Sequence, residues 1–313
     1  MICVLSRNKK CVLVYNKDRD VITAREPINY IKSAIIELGY SCRSIPFDEQ
    51  FMLNIIREDP HIVFNYYTAT GRSQMVVPSI LENMKVRYTG SDSLTQALAI
   101  DKEYTNIILK FYGIPVPQFH TAKKSDTFVC PPDFPLMVKP ALGGSSEGIS
   151  YSAIVCNRGE IDKTLEELFS KGYNKLLVSS FIKGKELTVG VMGSSFPQIL
   201  GILETRIRPD EILTEEVKEE LDAYDERVVT YSGSHYEHIK DVALKSYKAI
   251  NCKGYARIDI RLGEDEIPYV IDINALPGLH PRYSYLSRMA EDAGLGYKGL
   301  IREIIEAVEI ASP

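Results

Sequence analysis

Residues 255–274 hold the densest group of side chains able to do chemistry. Two strand-like runs, 255–262 and 268–274, flank the polar turn Gly263-Glu264-Asp265-Glu266. Strand side chains alternate faces with period two. Arg257, Asp259 and Arg261 therefore share one face of the first run, and Ile258, Ile260 and Leu262 take the other. In the second run Asp272 and Asn274 share a face, opposite Tyr269, Ile271 and Ile273. A carboxylate buried unpaired in such strands costs roughly several kcal/mol. Two carboxylates and an amide oxygen are hard ligands that suit Mg²⁺, an ion that also holds phosphate. A structural ion pair between Arg257 and Asp259 is the plainer alternative.

A second group lies in Met137-Val138-Lys139-Pro140-Ala141-Leu142-Gly143-Gly144-Ser145-Ser146-Glu147-Gly148. It reads as a strand ending in a lysine, then a loop of glycines and serines. Glycines let backbone N–H groups turn toward an anion, and serine hydroxyls and the lysine add donors. The order of a Walker A loop is absent, and a plain flexible turn is the bland alternative. Asp101-Lys102 sits in a helical stretch, where a lysine is ordinarily a solvated charge. Glu186 opens an apolar strand after Gly184, where an edge salt bridge would explain it. Asn274-Ala275-Leu276-Pro277-Gly278-Leu279 leaves its strand through a Pro-Gly turn. His280, Arg282, Tyr283 and Ser284 follow; His280 reads as a surface-loop histidine more readily than as a base.

The elements that must position these groups can be read from periodicity. Cys11–Tyr15, Ser41–Pro46 and His61–Asn65 are short strands. They alternate with helical spacing over Pro27–Leu38 and Val77–Met84, after which comes Val86–Gly90, so a parallel sheet covered by helices is expected. Leu94–Tyr112 reads as one longer helix. Strands are expected at Phe134–Lys139, Lys175–Phe181, Glu186–Met192 and Ile199–Arg206. Helices are expected at Ile239–Ile250, around Leu286–Ala293 and at Tyr297–Ala311. Residues 209–227 are acidic, without a compact apolar stripe, and read as an exposed loop or a polar helix.

Bulk properties exclude several classes. The 313 residues carry 37 Lys and Arg against 42 Asp and Glu, a net charge of −5 that disfavours a nucleic-acid surface. No run approaches the roughly 18 apolar residues of a membrane span. The first twenty residues lack a signal-peptide pattern, so a cytoplasmic location is the expectation. Six cysteines with no CxxC spacing read as free thiols rather than a zinc site.

Taken in order, these pieces resemble the ATP-grasp superfamily, and most closely the D-alanine–D-alanine ligase family. The match runs over residues 86–310. It comprises Tyr88-Thr89-Gly90-Ser91, Ala99-Ile100-Asp101-Lys102, Gly113-Ile114-Pro115-Val116-Pro117 and Val138-Lys139-Pro140 with Gly144-Ser145-Ser146 and Gly148. It continues through Gly184-Lys185-Glu186-Leu187-Thr188-Val189, Gly254-Tyr255-Ala256-Arg257-Ile258-Asp259 and Ile273-Asn274-Ala275-Leu276-Pro277-Gly278.

The resemblance implies an α/β chain, α+β in its ATP-grasp part, with a Rossmann-like parallel-sheet domain at 1–94 and ATP-grasp subdomains at 95–180 and 181–313. It implies that Lys102, Lys139 and Ser146 hold ATP phosphates, that Glu186 takes the ribose hydroxyls, and that Phe181 and Ile182 lie near adenine. It also implies that Asp259, Asp272 and Asn274 bind two Mg²⁺ ions, for which Mn²⁺ is an alternative. Arg257 and backbone near Gly278 would stabilise the reaction intermediate, and Ser145 would orient the first substrate. The implied reaction activates a carboxylate as an acyl phosphate, which an amine then attacks. The implied partners are small amino-acid-like molecules, without nucleic acid or membrane, and the family is commonly dimeric.

Departures from the family pattern concern substrate more than ATP. The His-Gly-x-Gly-Gly-Glu-Asp-Gly loop is replaced by Asn65-Tyr66-Tyr67-Thr68-Ala69-Thr70-Gly71-Arg72-Ser73-Gln74. Arg25-Glu26 matches the family's substrate-binding Arg-Glu only through a local insertion. The segment between Glu204 and Tyr236 lacks the Lys-Tyr and Cys-Pro-Ala landmarks, leaving Lys218 as the nearest lid lysine. Asp272 stands one methylene short of the family's metal glutamate. The carboxylate-binding serine comes one residue late, at Ser284, with Arg282 beside it. The expectation is an ATP-dependent carboxylate–amine ligase. A ligase joining a different amino acid to an amino acid or small acid is the enzyme alternative, and a non-catalytic ATP-binding module is the alternative of another class.

Overall fold

The computed structural model describes residues 9–17, 21–69, 71–126, 128–131, 133–143, 153–208, 210, 212 and 223–310, with the side chains of 21–26 and 309–310 left aside. Ser145, Ser146 and Lys218 lie outside the described residues, as does the Glu26 side chain.

The first sheet is parallel, in the order β2 (Ser41–Pro46), β1 (Lys10–Tyr15), β3 (Ile62–Tyr66). Helix α1 (Val21–Glu37) covers one face, and α2 (Phe51–Glu58) and α3 (Val76–Asn83) the other. Residues 86–90 add one parallel bridge to this sheet, Val63 with Tyr88. Helix α1 begins six residues before Pro27, which therefore lies inside it. Proline commonly opens a helix because it lacks an N–H, so spacing alone reads it as the start.

The expected helix over 94–112 is broken into α4 (Ser93–Ile100) and α5 (Lys102–Phe111). Asp101 is extended at φ −100° and ψ 97°, and its carboxylate accepts the Glu103 and Tyr104 N–H groups as an N-cap. Its backbone bridges Leu142, and Lys102 N–H donates to Ala141 O at 2.9 Å. The break therefore ties Lys102 to the start of the glycine-rich loop.

A four-stranded antiparallel sheet follows, in the order β4 (Phe119–Lys123), β7 (Lys175–Ser180), β5 (Leu136–Pro140), β6 (Ile154–Val155). Helix α6 (Arg158–Ser170) buries Ile161, Leu165 and Leu168 against it. The third sheet runs β10 (Val228–Thr230), β9 (Gln198–Thr205), β8 (Gly184–Met192), β11 (Tyr255–Gly263), β12 (Pro268–Asn274), all antiparallel. On one face α7 (Tyr236–Ala249) buries Ile239, Val242 and Tyr247 against Val189, Ile258 and Ile273. Each such side chain contributes about 1.5–3 kcal/mol of burial.

The opposite face is polar near its middle and notched at one end. Gly190 and Gly201 are cross-strand partners, and a Cβ at either would lie 2.6 Å from Met289 Sδ or 3.0 Å from Met289 Cγ, respectively. This notch admits α8 (Tyr285–Asp292). With α9 (Gly296–Ile310), α8 joins the core shared with β1, β3 and α1. Among the described residues no helix is long and apolar enough to cross a membrane.

Candidate active site

The hairpin β11–β12 sets the polar face. Arg257 pairs with Asn274, and Asp259 with Asp272, before the register shifts between Asp259 and Ile260. All four are cross-strand neighbours, as period two requires. Arg257 Nη2 lies 2.9 Å from Asp259 Oδ2, so the ion pair offered as the plainer reading exists. Thr188 on β8 donates to Asp259 Oδ1 at 3.2 Å. Asn274 Oδ1 accepts the Leu276 N–H at 3.1 Å, which fixes the exit from β12. Burial opposes the Arg257 charge, but Asp259, with Asp272 and Tyr285 behind it, outweighs burial and holds the guanidinium above its ordinary value.

Two lysines reach this floor from other elements. Lys102, 8% exposed at the start of α5, lies 3.9 Å from Asp272 Oδ1 and donates to Gly143 O at 2.5 Å. Lys139, 4% exposed on β5, donates to Ile271 O at 3.3 Å. Three cations, Lys102, Lys139 and Arg257, thus meet Asp259 and Asp272 in a largely buried space. Buried charge is costly without compensation, and a polyanion fits this balance. Arg257 Nε is buried with no hydrogen-bond partner among the described residues, a donor suited to an incoming oxygen.

A small apolar cluster forms around Phe181. Phe181 clusters with Ala153 and Ile212, with Met137 and Ile154 packed alongside. Ile182 is half-buried beside it. Glu186 is paired with Arg261 at 3.1 Å, so a salt bridge exists, but it lies largely buried between the interior strands β8 and β11 rather than at an edge.

The carboxyl end of the parallel sheet is furnished differently. In the order β2-β1-β3 the direction of winding reverses beside β1, and ligands of open α/β sheets bind off the carboxyl ends of strands at such a point. That end carries Tyr15 and Tyr66, and Asn16 Nδ2 bridges to Thr68 O at 3.1 Å. Tyr66 hydroxyl accepts the Leu279 N–H at 3.4 Å, and Tyr297 hydroxyl donates to Leu279 O at 2.8 Å. Gly278 is exposed next to them. Ser284 Oγ donates to Gly278 O, so the structure uses this hydroxyl to close the loop. Arg282 is exposed, and its carbonyl accepts from Ala223 N–H. His280 Nδ1 accepts the Arg282 and Tyr283 N–H groups at 3.0 and 3.2 Å, which supports its reading as a loop histidine.

Three residues hold contacts that the sequence did not announce. Lys175 on β7 binds Asp101 at 3.0 Å and Glu103 at 2.5 Å and anchors the start of α5. Tyr285 hydroxyl lies 3.2 Å from Thr205 Oγ1; burial raises its pKa, against pulls from Thr205 and Arg257. Tyr66 has its partner 213 residues away. None has a local sequence signal, because each partner comes from a distant strand or loop.

The donor set fits Mg²⁺ in kind: two carboxylates and an amide oxygen, all hard. Among the described residues no group of three or more His, Cys, Asp or Glu gathers as a metal cluster.

Comparison with known proteins identifies the family and the fold. The family model described as "D-ala D-ala ligase C-terminus" matches residues 108–306. D-alanine–D-alanine ligase A of Bacillus cereus is 29% identical over 296 residues, covering 93% of both chains. A D-alanine–D-alanine ligase of Bacillus anthracis is 32% identical over 234 residues, 74% of each chain. The crystal structure of D-alanine–D-alanine ligase from Bacillus anthracis complexed with ATP shares the fold at a TM-score of 0.77 and 24% identity, covering 96% of this chain and 97% of that one. The ligase from Coxiella burnetii shares it at 0.73 and 21%, covering 96% and 95%. The chain therefore belongs to the D-alanine–D-alanine ligase family, ATP-dependent enzymes that form a carbon–nitrogen bond.

Proposed function

We propose that this ligase joins two amino acids of the D-alanine kind, with ATP as the co-substrate. The observation that carries the reading is the convergence of Lys102 and Lys139, from separate elements, on the Ile271-Asp272 segment beside Arg257 and Asp259. Lys102 and Lys139 would bind phosphate oxygens, with Ser145 and Ser146 in the loop that follows. Glu186 would take the ribose, and Phe181 and Ile182 would flank adenine. Asp259, Asp272 and Asn274 would hold Mg²⁺, two ions in this reading or Mn²⁺ in their place, which would lower the repulsion between phosphate and an incoming carboxylate.

The carboxylate of the first amino acid attacks the γ-phosphorus, releasing ADP and giving an acyl phosphate. The amine of the second attacks that carbonyl. Arg257, with N–H groups near Gly278, would stabilise the charge on the carbonyl oxygen before phosphate leaves. No side chain need act as a nucleophile. On the amino-acid side, Glu26 would meet the first ammonium, and Ser284 and Arg282 the second carboxylate. The reading includes domains at 1–94, 95–180 and 181–313, a cytoplasmic location, a homodimer and no nucleic-acid partner.

The test is phosphate release with ATP, Mg²⁺ and pairs of D- and L-amino acids, with products read by mass spectrometry. D-Alanine alone should give the strongest release and its dipeptide. Release that needs a different amino acid would overturn the D-alanine assignment.

A further inference from the structure

Arg261 shares its strand face with Arg257 and Asp259, yet the reaction above gives it nothing to do. Its surroundings are unusual for an arginine. The side chain is 4% exposed. Nη1 lies 3.1 Å from Glu186 Oε2, Nη2 donates to Gly184 O at 3.0 Å, and the guanidinium carbon stands 5.2 Å from the Phe181 ring centroid. One planar group thus touches Gly184 and Glu186 at the start of β8 and Phe181 in the segment that leads from β7 to β8.

That segment is the short hinge between the antiparallel sheets, residues 181–183, with β7 ending at Ser180 and β8 starting at Gly184. Phe181 N–H donates to Pro135 O at 3.0 Å on the side of the first antiparallel sheet. Lys183 O accepts the Glu264 N–H at 3.1 Å on the other. Gly184 has φ +152°, and a Cβ there would fall 2.0 Å from Leu262 O, so the hinge presses against β11 where only glycine fits. Arg261 is placed to lock it. A guanidinium presents donors in a rigid fork and stacks on aromatic faces; an ammonium carries the charge but neither feature.

We propose that Arg261 is a positioning residue for nucleotide recognition: it fixes the Glu186 carboxylate and the Phe181–Gly184 hinge in the arrangement that reads the ribose. The proposal rests on the assignment of Glu186 to the ribose hydroxyls. It predicts a ligand-specific defect, because loss of the fork removes the hold of Arg261 on the Glu186 carboxylate while the phosphate-binding lysines stay in place.

The experiment measures affinity for ATP and for 2′,3′-dideoxy-ATP by calorimetry with Mg²⁺, using the full chain and the variants Arg261→Lys, Arg261→Met, Glu186→Gln and Arg261→Met/Glu186→Gln. Thermal unfolding first establishes that each is folded. Arg261→Lys keeps the buried charge opposite Glu186 and is the variant that secures the test if Arg261→Met fails to fold. The parent chain should prefer ATP by about tenfold or more, the size of a lost hydrogen bond to a charged group. Arg261→Lys and Glu186→Gln should each lose most of that preference, and the double variant should lose no more than either change alone. Full preference retained in folded Arg261→Lys, with preference lost in Glu186→Gln, overturns the proposal and leaves the ribose assignment standing. Full preference retained in Glu186→Gln overturns the ribose assignment, and the proposal with it.

Discussion

The charged floor on β11 and β12, proposed to hold the nucleotide, and the loop cluster around Leu279, proposed to hold the amino acids, are built by different means. The floor stands on strands: Asp259, Asp272, Arg257 and Asn274 face one another across β11 and β12, and Lys139 lies near the end of a third strand. The amino-acid side is assembled from loop ends, with Tyr66 at the carboxyl end of β3 holding Leu279 and Ser284 tied back to Gly278. Rigid strands keep a shared chemistry fixed. Loops on that frame can change what is joined without moving the phosphates.

This contrast can be broken by mutation, and the floor should be hit hardest. Asp272→Asn removes a hard anionic donor and the partner of Lys102. It should lower kcat by about 10³-fold with either amino acid saturating, as read by ADP release. Arg257→Met should cost about 10²–10³ in kcat while ATP still binds, because the lost donor acts on charge that develops during the reaction. Unchanged ATP turnover in that variant would move Arg257 from chemistry to structure. Gly184→Ala should destabilise the chain by about 3 kcal/mol or more in urea unfolding, since its Cβ cannot fit beside Leu262 O.

Changes on the other side should be smaller and selective. Tyr66→Phe and Ser284→Ala each remove one hydrogen bond of the 278–284 loop and should raise the amino-acid KM by about three- to tenfold with the ATP KM unchanged. A parallel rise in the ATP KM would mean that the two regions are coupled. The smallest effect is expected at Glu103. Burial raises its pKa, but hydrogen bonds from Lys175 and Thr121 outweigh that and hold it below the ordinary carboxylate value. A depressed folded pKa stabilises the fold above the unfolded pKa, and this contribution is lost as pH falls through the folded value. Glu103→Gln should therefore flatten the acid limb of a plot of Tm against pH, while leaving the limb above pH 7 alone.

The same contrast explains what could be read from the sequence. The pairing of Asp259 with Asp272 and of Arg257 with Asn274 follows from period two within one hairpin, where both partners lie within twenty residues. The Arg261–Glu186 pair is a contact of strands 75 residues apart, and no local pattern announces it. The break at Asp101 was hidden for another reason. An aspartate inside helical spacing looks like a surface charge until its carboxylate is seen capping the next turn and holding Lys175. Pro27 misled in the opposite direction, since proline marks a helix start more often than it lies within one. The fold of the first sheet was legible from strand–helix alternation, but the place of Tyr66 against Leu279 needed the packing of α8 and α9 on that sheet.

The central claim is that the floor couples ATP cleavage to amide formation. It is tested most directly by measuring ADP, phosphate and dipeptide together in one reaction with D-alanine, ATP and Mg²⁺. The account predicts that the three form in equal amounts and that all three fall together in Arg257→Met. ADP and phosphate formed without dipeptide across D- and L-amino acid pairs, or dipeptide formed without ADP, would contradict it.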